Sequence, residues 1–474
     1  MRDNIVNKLA ENNTVLTPDA MEYLEDQEDA CKIVDELTEK QDKLPFPVCK
    51  ETICGLIGDD GTKKKKMDAE DLKECIDILK DISGNSTCTG TITDFSKYFE
   101  SRYEILKSII MERRDGKRAS PISRISKRRG EASAIVMVRD IHPTSNGNKI
   151  LTLEDKTGEM RGFISGDSDV YSKNILEDEV ILVKGEVWEN NDDFEDTLSI
   201  EEIKRPGVPK LNRKTRPDFS GKIAFLGDIH VGSDTFIKER WDDFVSWINS
   251  SKEAENIRYL LIPGDLIDGI GIFPNQEEEL DIIDINDQYR ETARMLSEIR
   301  DEIQIITIPG NHDIVRNAEP QPCLPEEIQK MFPENVLFYG NPAFIDLEGL
   351  KILMYHGTSI NDLSDMLPQV DQENPTTALK EMLKRRHLVP VYGKKTSIAP
   401  EEKDYLTIEE VPDVFVTGHI HRNDVDEYHG TILINASTWQ KQTEYQKMRD
   451  IKPEPAKVTV LDPKTNRVSI REFN

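Results

Sequence analysis

The 474 residues carry 62 Lys and Arg against 90 Asp and Glu, a formal charge of −28, and 37% are hydrophobic. That length exceeds one ordinary core and points to several domains, and the acidity excludes non-specific attraction of the whole molecule to nucleic acid, so any such contact must come from local patches. No apolar stretch reaches the roughly 18 residues of a membrane span and the N-terminus lacks the apolar run of a secretory signal, which points to a cytoplasmic protein with no membrane partner.

Residues 1–45 place Ile5, Leu9, Leu16, Met21, Leu24, Val34 and Leu37 at approximately helical spacings among charges, the pattern of a helical N-terminal module. Residues 46–92 lose this periodicity and collect Pro47, Gly55, Gly58, Gly61 and the run Lys63 to Lys66, as a linker does. Six cysteines, at 31, 49, 54, 75, 88 and 323, form no close CxxC pair and read as reduced thiols.

Residues 93–130 begin with an amphipathic helix, in which Phe95, Tyr98, Phe99, Tyr103, Leu106, Ile109 and Ile110 recur mostly at three- and four-residue steps and Thr93 or Asp94 is placed to cap the start. They end in Arg113, Arg114, Lys117, Arg118, Arg124, Lys127, Arg128 and Arg129, either a solvated linker or a strip that contacts phosphates. Residues 131–206 change to five short strands (134–138, 149–154, 160–164, 180–187 and 197–203), which suit a small closed barrel of the oligonucleotide-binding type or a protein-docking module. Phe163, Tyr171, Trp188 and Phe194 are its candidate stacking aromatics. From residue 218 to 474 strands alternate with helical segments, so the whole is a multidomain α+β chain.

Within that last region five β-rich runs each end in a metal-ligand residue: Gly227-Asp228-Ile229-His230, Gly264-Asp265-Leu266-Ile267-Asp268, Gly310-Asn311-His312-Asp313, His356-Gly357 and Gly418-His419-Ile420-His421. Five of the eight histidines fall in these motifs, a concentration that core packing does not explain. Strands that stop at one sheet edge bring such loops together, and a pair of cations roughly 3.5–4 Å apart needs a bridging carboxylate with nitrogen and amide-oxygen donors on either side. Asp265 is the expected bridge, Asp228, His230 and His421 complete one site, and Asn311, His356 and His419 the other. The mixed donor set suits manganese, iron or zinc better than magnesium, with two Mn²⁺ ions the first expectation. His312, beside ligand Asn311, is placed to protonate a departing oxygen; Asp268 either fixes its tautomer or caps a helix, and Asp313 is read as structural. Lys384, Arg385, Arg386, Lys394 and Lys395, with His387 a weaker candidate, either clamp a strand's phosphates or bind the acidic remainder of the chain.

The series GDIH, GDLIDG, GNHD, HG and GHIH resembles the calcineurin-like metallophosphoesterase superfamily. Residues 380 to 421, with YHGTSINDL at 355 to 363 and TDFSKYFESRYEILKSII at 93 to 110, look like the small subunits of archaeal family-D DNA polymerases. That resemblance covers about residues 93 to 474. It implies a helical N-terminal module, an oligonucleotide-binding barrel and a calcineurin-like phosphoesterase sandwich. It further implies a metal-dependent 3′-to-5′ exonuclease that proofreads DNA, acting on single-stranded or mismatched 3′ ends and bound to a large catalytic polymerase subunit. Two other readings stay open: a scaffold subunit with a phosphoesterase fold, and a phosphatase or cyclic-nucleotide hydrolase on the same metal site.

Overall fold

The computed structural model describes residues 75–127, 129–188, 196–209, 221–448 and 450–473, with scattered positions between 16 and 73. The chain divides into two units, Met1–Asp68 and Ala69–Asn474. Most of the predicted N-terminal module lies outside the described residues. In the first unit, Ala20, Leu24, Ala30, Ile33, Val34, Val48 and Ile53 are buried in one cluster. Val48 and Ile53 were expected in a linker, so the packed part of this unit extends past residue 45.

The linker expectation fails at its other end too. Ile76–Lys80 is a strand, β1, paired antiparallel with the edge of a sheet in the C-terminal region. Helix α1 (Ile92–Met111) follows, and its cap lies two residues before the predicted one: the Thr91 hydroxyl accepts from Asp94 N–H while the Asp94 carboxylate accepts from Thr91 N–H, a reciprocal pair that satisfies two otherwise orphaned donors.

Strands β2 (Gly130–Pro143), β3 (Lys149–Asp155), β4 (Gly158–Ile164), β5 (Val180–Trp188) and β6 (Thr197–Lys204) close a barrel in the order β2-β3-β4-β6-β5. The two-residue period of β2 accounts for both its faces. Ala134, Val136 and Val138 pack in the barrel core, whereas Ile135 and Met137 pack outward against Tyr103, Leu106 and Ile110 of α1.

The remaining strands form two six-stranded sheets. The first contains β7 (Lys222–Phe225), β8 (Ile257–Ile262), β9 (Gln304–Thr307) and β10 (Val336–Phe338), all parallel, and the antiparallel C-terminal strands β16 (Lys457–Asp462) and β17 (Arg467–Glu472) at the other edge. The second runs β1, β11 (Ala343–Leu347), β12 (Leu350–Met354), β13 (Val414–Thr417), β15 (Thr431–Asn435) and β14 (Asp424–Tyr428). Both faces of the central strands are buried. Ala224, Leu260, Ile262 and Ile305 join a core with Trp241, Phe244, Ala293 and Leu296 of the flanking helices, and Phe225, Tyr259, Leu261 and Ile306 are buried on the alternate face. Their sequences therefore read as continuous apolar runs. β7, β8, β9, β12 and β13 all release their chains at carboxyl ends, where the five motifs lie. Among the described residues no helix is long and apolar enough to cross a membrane.

Candidate metal centre

Asp228, His230, Asp265, Asp268 and His356 are almost completely buried, and Asn311, His312 and His419 are only partly so, which gives the cluster one accessible side. Three groups of donors stand close enough to share an ion: Asp228 with His230 and His421, Asp265 with His356 and His419, and His230 with Asp268 and His312. The first two bring together residues assigned to the two sites above, the second with the expected bridge Asp265 beside His356 and His419. Asp265 lies between them, its Oδ2 standing 3.7 Å from His230 Nε2 and 3.3 Å from His356 Nε2. His421 Nε2 faces Asp228 Oδ2 at 3.3 Å and His230 Nε2 at 3.0 Å, and Asn311 Oδ1 lies 2.9 Å from His356 Nε2.

The local backbone explains how short loops achieve this convergence. His230, Asp265, His419 and His421 all adopt positive φ, between 49° and 68°, a region that side-chain-bearing residues enter at a cost of about 1–3 kcal/mol each and that clusters at functional sites. Two glycines are required for contact: a Cβ on Gly310 would strike Asp265 Oδ1, and one on Gly418 would strike Asp228 Oδ1.

The ring nitrogens turned away from the cluster are held, which fixes the ones turned toward it. His356 Nδ1 donates to Pro263 O at 2.9 Å, His230 Nδ1 faces Asp268 Oδ1 at 3.0 Å, and the amide of Gln446 meets His421 Nδ1 at 3.0 Å. The Asn361 amide meets His419 Nε2 at 2.9 Å, leaving Nδ1 as that ring's available nitrogen.

The expected role of Asp268 needs correction. Its carboxylate serves His230, not His312, and is itself held by Gln276 Nε2 at 2.8 Å and Gln440 Nε2 at 3.0 Å. The backbone carbonyl of Asp268 accepts from His312 Nδ1 at 2.7 Å, so the same residue orients both rings by different atoms. It caps no helix. Asp313 is structural: its carboxylate accepts from Gly310 N–H of its own loop and Leu266 N–H of the loop after β8, tying two motif loops together, and from Tyr289 O–H. Burial, with the neighbouring Asp265 charge, raises it to about 7.

The electrostatics describe a site in demand of positive charge. Burial alone would lower His230 and His356, but the Asp268 hydrogen bond and the Asp265 charge raise His230 to about 9, and the charge and hydrogen bond of Asp265 raise His356 to about 10. Asp265 falls well below the usual carboxylate range: burial opposes this, and the charges of His356 and His312 prevail. Burial lowers His419 to about 3 and lowers His421 as well. Asp228 Oδ1 is buried without a hydrogen-bond partner, an arrangement that costs several kcal/mol unless a cation completes it. The donor set thus fits divalent ions.

The basic residues divide. Arg385 is buried and pairs with Glu179 of the barrel region and with Glu381, while its Nη2 donates to Asn174 O; Arg386 is buried with its guanidinium on Gly207 O and Ile408 O. These two join parts of the fold: Arg385 is bound by the chain's own carboxylates, the second of the two readings given above, and Arg386 by main-chain carbonyls, so neither is placed to clamp phosphates. Lys384 is half-committed to Glu381. Lys394 and Lys395 are exposed, with Lys395 against Asp365, and so are Arg114, Lys117, Arg118, Arg124 and Lys127 of the earlier strip.

His387 is likewise structural, buried with Nε2 2.7 Å from Asp404 Oδ2. Burial and the neighbouring Arg102 charge lower it to about 4. Between pH 6.5 and 4 the unfolded chain takes up a proton that the folded chain refuses, so this group makes stability fall as pH drops through that window. His387→Gln should flatten the pH dependence of the urea midpoint there by an amount on the order of 3 kcal/mol; an unchanged slope would show that the ring is not held neutral.

The amides of Gln276, Gln440, Gln446 and Asn361 were not anticipated. Neutral amides in loops have no period and no characteristic spacing to betray them.

A calcineurin-like phosphoesterase family model matches residues 221–423. The chain is 42% identical over 405 residues to a DNA polymerase II small subunit of Archaeoglobus fulgidus, covering 84% of this chain and 80% of that one. It is 41% identical to the corresponding subunit of Methanocaldococcus jannaschii, covering 83% and 68%, and 36% identical to that of Halobacterium salinarum, covering 84% and 78%.

Proposed function

The chain belongs to the family of archaeal DNA polymerase II small subunits, and from that premise we propose that it is a 3′-to-5′ exonuclease that removes nucleotides from single-stranded or mismatched DNA ends beside a large catalytic subunit. The observation that carries the reading is the position of Asp265 Oδ2, 3.7 Å from His230 Nε2 and 3.3 Å from His356 Nε2. A subunit kept only as a scaffold has no need of seven such side chains.

Asp228, His230 and His421 would hold one divalent ion and Asn311, His356 and His419 the other, with Asp265 common to both; manganese is the ion we name. When bound, such a pair supplies Lewis-acid activation and offsets charge on the phosphoryl oxygens. His312 keeps its Nδ1 proton on Asp268 O, which leaves Nε2 to carry and deliver a proton to the 3′-oxygen of the departing strand. Asp268 holds His230 and His312 in register, and Gln276 and Gln440 hold Asp268. The product would be a 5′-mononucleotide.

On this reading the closed five-stranded barrel is a nucleic-acid module, supported by its exposed Trp188, edge-on to Phe163 at 6.1 Å, which offers a base a stacking face. Lys394, Lys395 and the exposed basic strip near the barrel would meet the phosphates.

The test is release of labelled 3′ nucleotide from single-stranded and mismatched DNA with manganese, beside a generic phosphomonoester. His312→Ala should bind manganese with unchanged stoichiometry by calorimetry while turnover falls about 10²–10⁴-fold. Wild-type turnover in that variant would remove His312 as the proton donor, and cleavage of the phosphomonoester alone would favour a phosphatase.

A further inference from the structure

Two aromatic rings belong to the segments that flank this cluster. Phe273 and Tyr445, both half-buried, are stacked with ring centroids 5.6 Å apart and an interplanar angle of 23°. Each belongs to a segment that reaches a motif residue. Phe273 lies in the loop between Asp268 and Gln276, where Gln276 donates to both the carbonyl and the carboxylate of Asp268 and its own amide oxygen accepts from Ile272 N–H. Tyr445 lies in the short helix Glu444–Met448, next to Gln446, whose amide meets His421. The pair therefore joins the two segments that hold His230 and His421, on the side where Gly269 packs against the carbonyl of His312. Ile270 and Ile272, 44% and 39% exposed, extend the apolar surface beside it.

The charges around the pair are mostly acidic, with Lys447, paired to Glu444, the exception. Asp234 feels the charges of Asp281 and Glu444, Glu279 feels those of Asp234 and Glu444, and Glu277 and Glu278 are exposed on the same loop. A polyanion is repelled from such a rim, whereas a neutral ring system is not. We propose that the Phe273–Tyr445 stack receives the nucleobase of the 3′-terminal nucleotide, and that the acidic rim turns away the phosphates of any strand that continues beyond it. The inference rests on the exonuclease reading and explains why cleavage would start at an end. Base-on-aromatic stacking tolerates any base, as removal of successive nucleotides requires.

The experiment uses the full chain with its large subunit and two oligonucleotides, one ending in a normal 3′ nucleotide and one in an abasic 3′ residue. The wild type should remove the normal end about 10- to 100-fold faster, the range that one base stack is worth. Phe273→Ala and Tyr445→Ala should each lose most of that advantage, read as the ratio of the normal-end to the abasic-end rate within the same variant. Phe273→Leu, which keeps bulk without a ring face, should behave like alanine, and Phe273→Trp should restore the preference. Equal wild-type rates on the two ends, or full preference retained in Phe273→Leu, would overturn the proposal. No release from either end by the wild type would instead bring down the exonuclease reading, and this inference with it.

Discussion

Asp265→Asn is expected to lower DNA hydrolysis by more than about 10⁴-fold, a larger loss than removal of any single hydrogen-bond donor produces. The reason is geometric. Among the described residues, Asp265 supplies the oxygen that stands within 4 Å of an imidazole from each donor group, at 3.7 Å from His230 and 3.3 Å from His356. Asparagine preserves the volume and the acceptor for His312 N–H, now at 2.9 Å, so the loop should keep its shape. What disappears is the negative charge that two cations would share, and manganese bound per chain should fall below two by calorimetry. Two ions bound with a tenth or more of the turnover retained would show that Asp265 is not the bridge.

Arg102→Ala is expected to be the most destabilising single change in the described part of the chain. Arg102 leaves α1, is completely buried, and places Nε 3.0 Å from Asp404 Oδ2, Nη1 2.9 Å from Pro390 O and Nη2 3.0 Å from Tyr98 O–H. Burial works against both charges of the pair, yet His387 and Arg102 together hold the Asp404 carboxyl far below its ordinary range. Truncation would strand that carboxylate against a neutral His387, and breaking a buried pair from one side costs about 3–5 kcal/mol. The paired replacement Arg102→Met with Asp404→Leu should cost less than the single truncation, because no charge is left behind. Urea midpoints of the three proteins test this; a single variant within about 1 kcal/mol of wild type would mean that water reaches the site.

The convergence of the candidate donors was legible because histidine is scarce in this chain and each motif follows a β-rich run. The strands of the barrel and of the sheet centres were legible because burial on one or both faces leaves a periodic or continuous apolar signature. The misreadings have a common cause in partners distant in sequence. Arg385, Arg386 and His387 form a basic run that suits phosphate, and only the fold brings Glu179, Glu381 and Asp404 to them. Asp268, three residues after Asp265, seemed made for His312, and the positive φ of His230 turns that ring to Asp268 instead. β1 escaped notice because it lies at a sheet edge, with Ile78 and Leu79 half exposed, so its five residues show no clean alternation.

The pairing of β1 with β11 bears on how the molecule can be dissected. A fragment cut to the phosphoesterase match at 221–423 would drop β16 and β17 from one sheet and β1, β14 and β15 from the other, uncovering the main-chain groups of β7, β11 and β13. It would also strip Glu401 of the hydroxyl of Ser86 and the amides of Thr87 and Cys88, and Asp404 of its arginine. An uncovered strand recruits other chains. The smallest piece worth expressing therefore starts ahead of Cys75 and runs through Phe473, with the barrel carried along inside it.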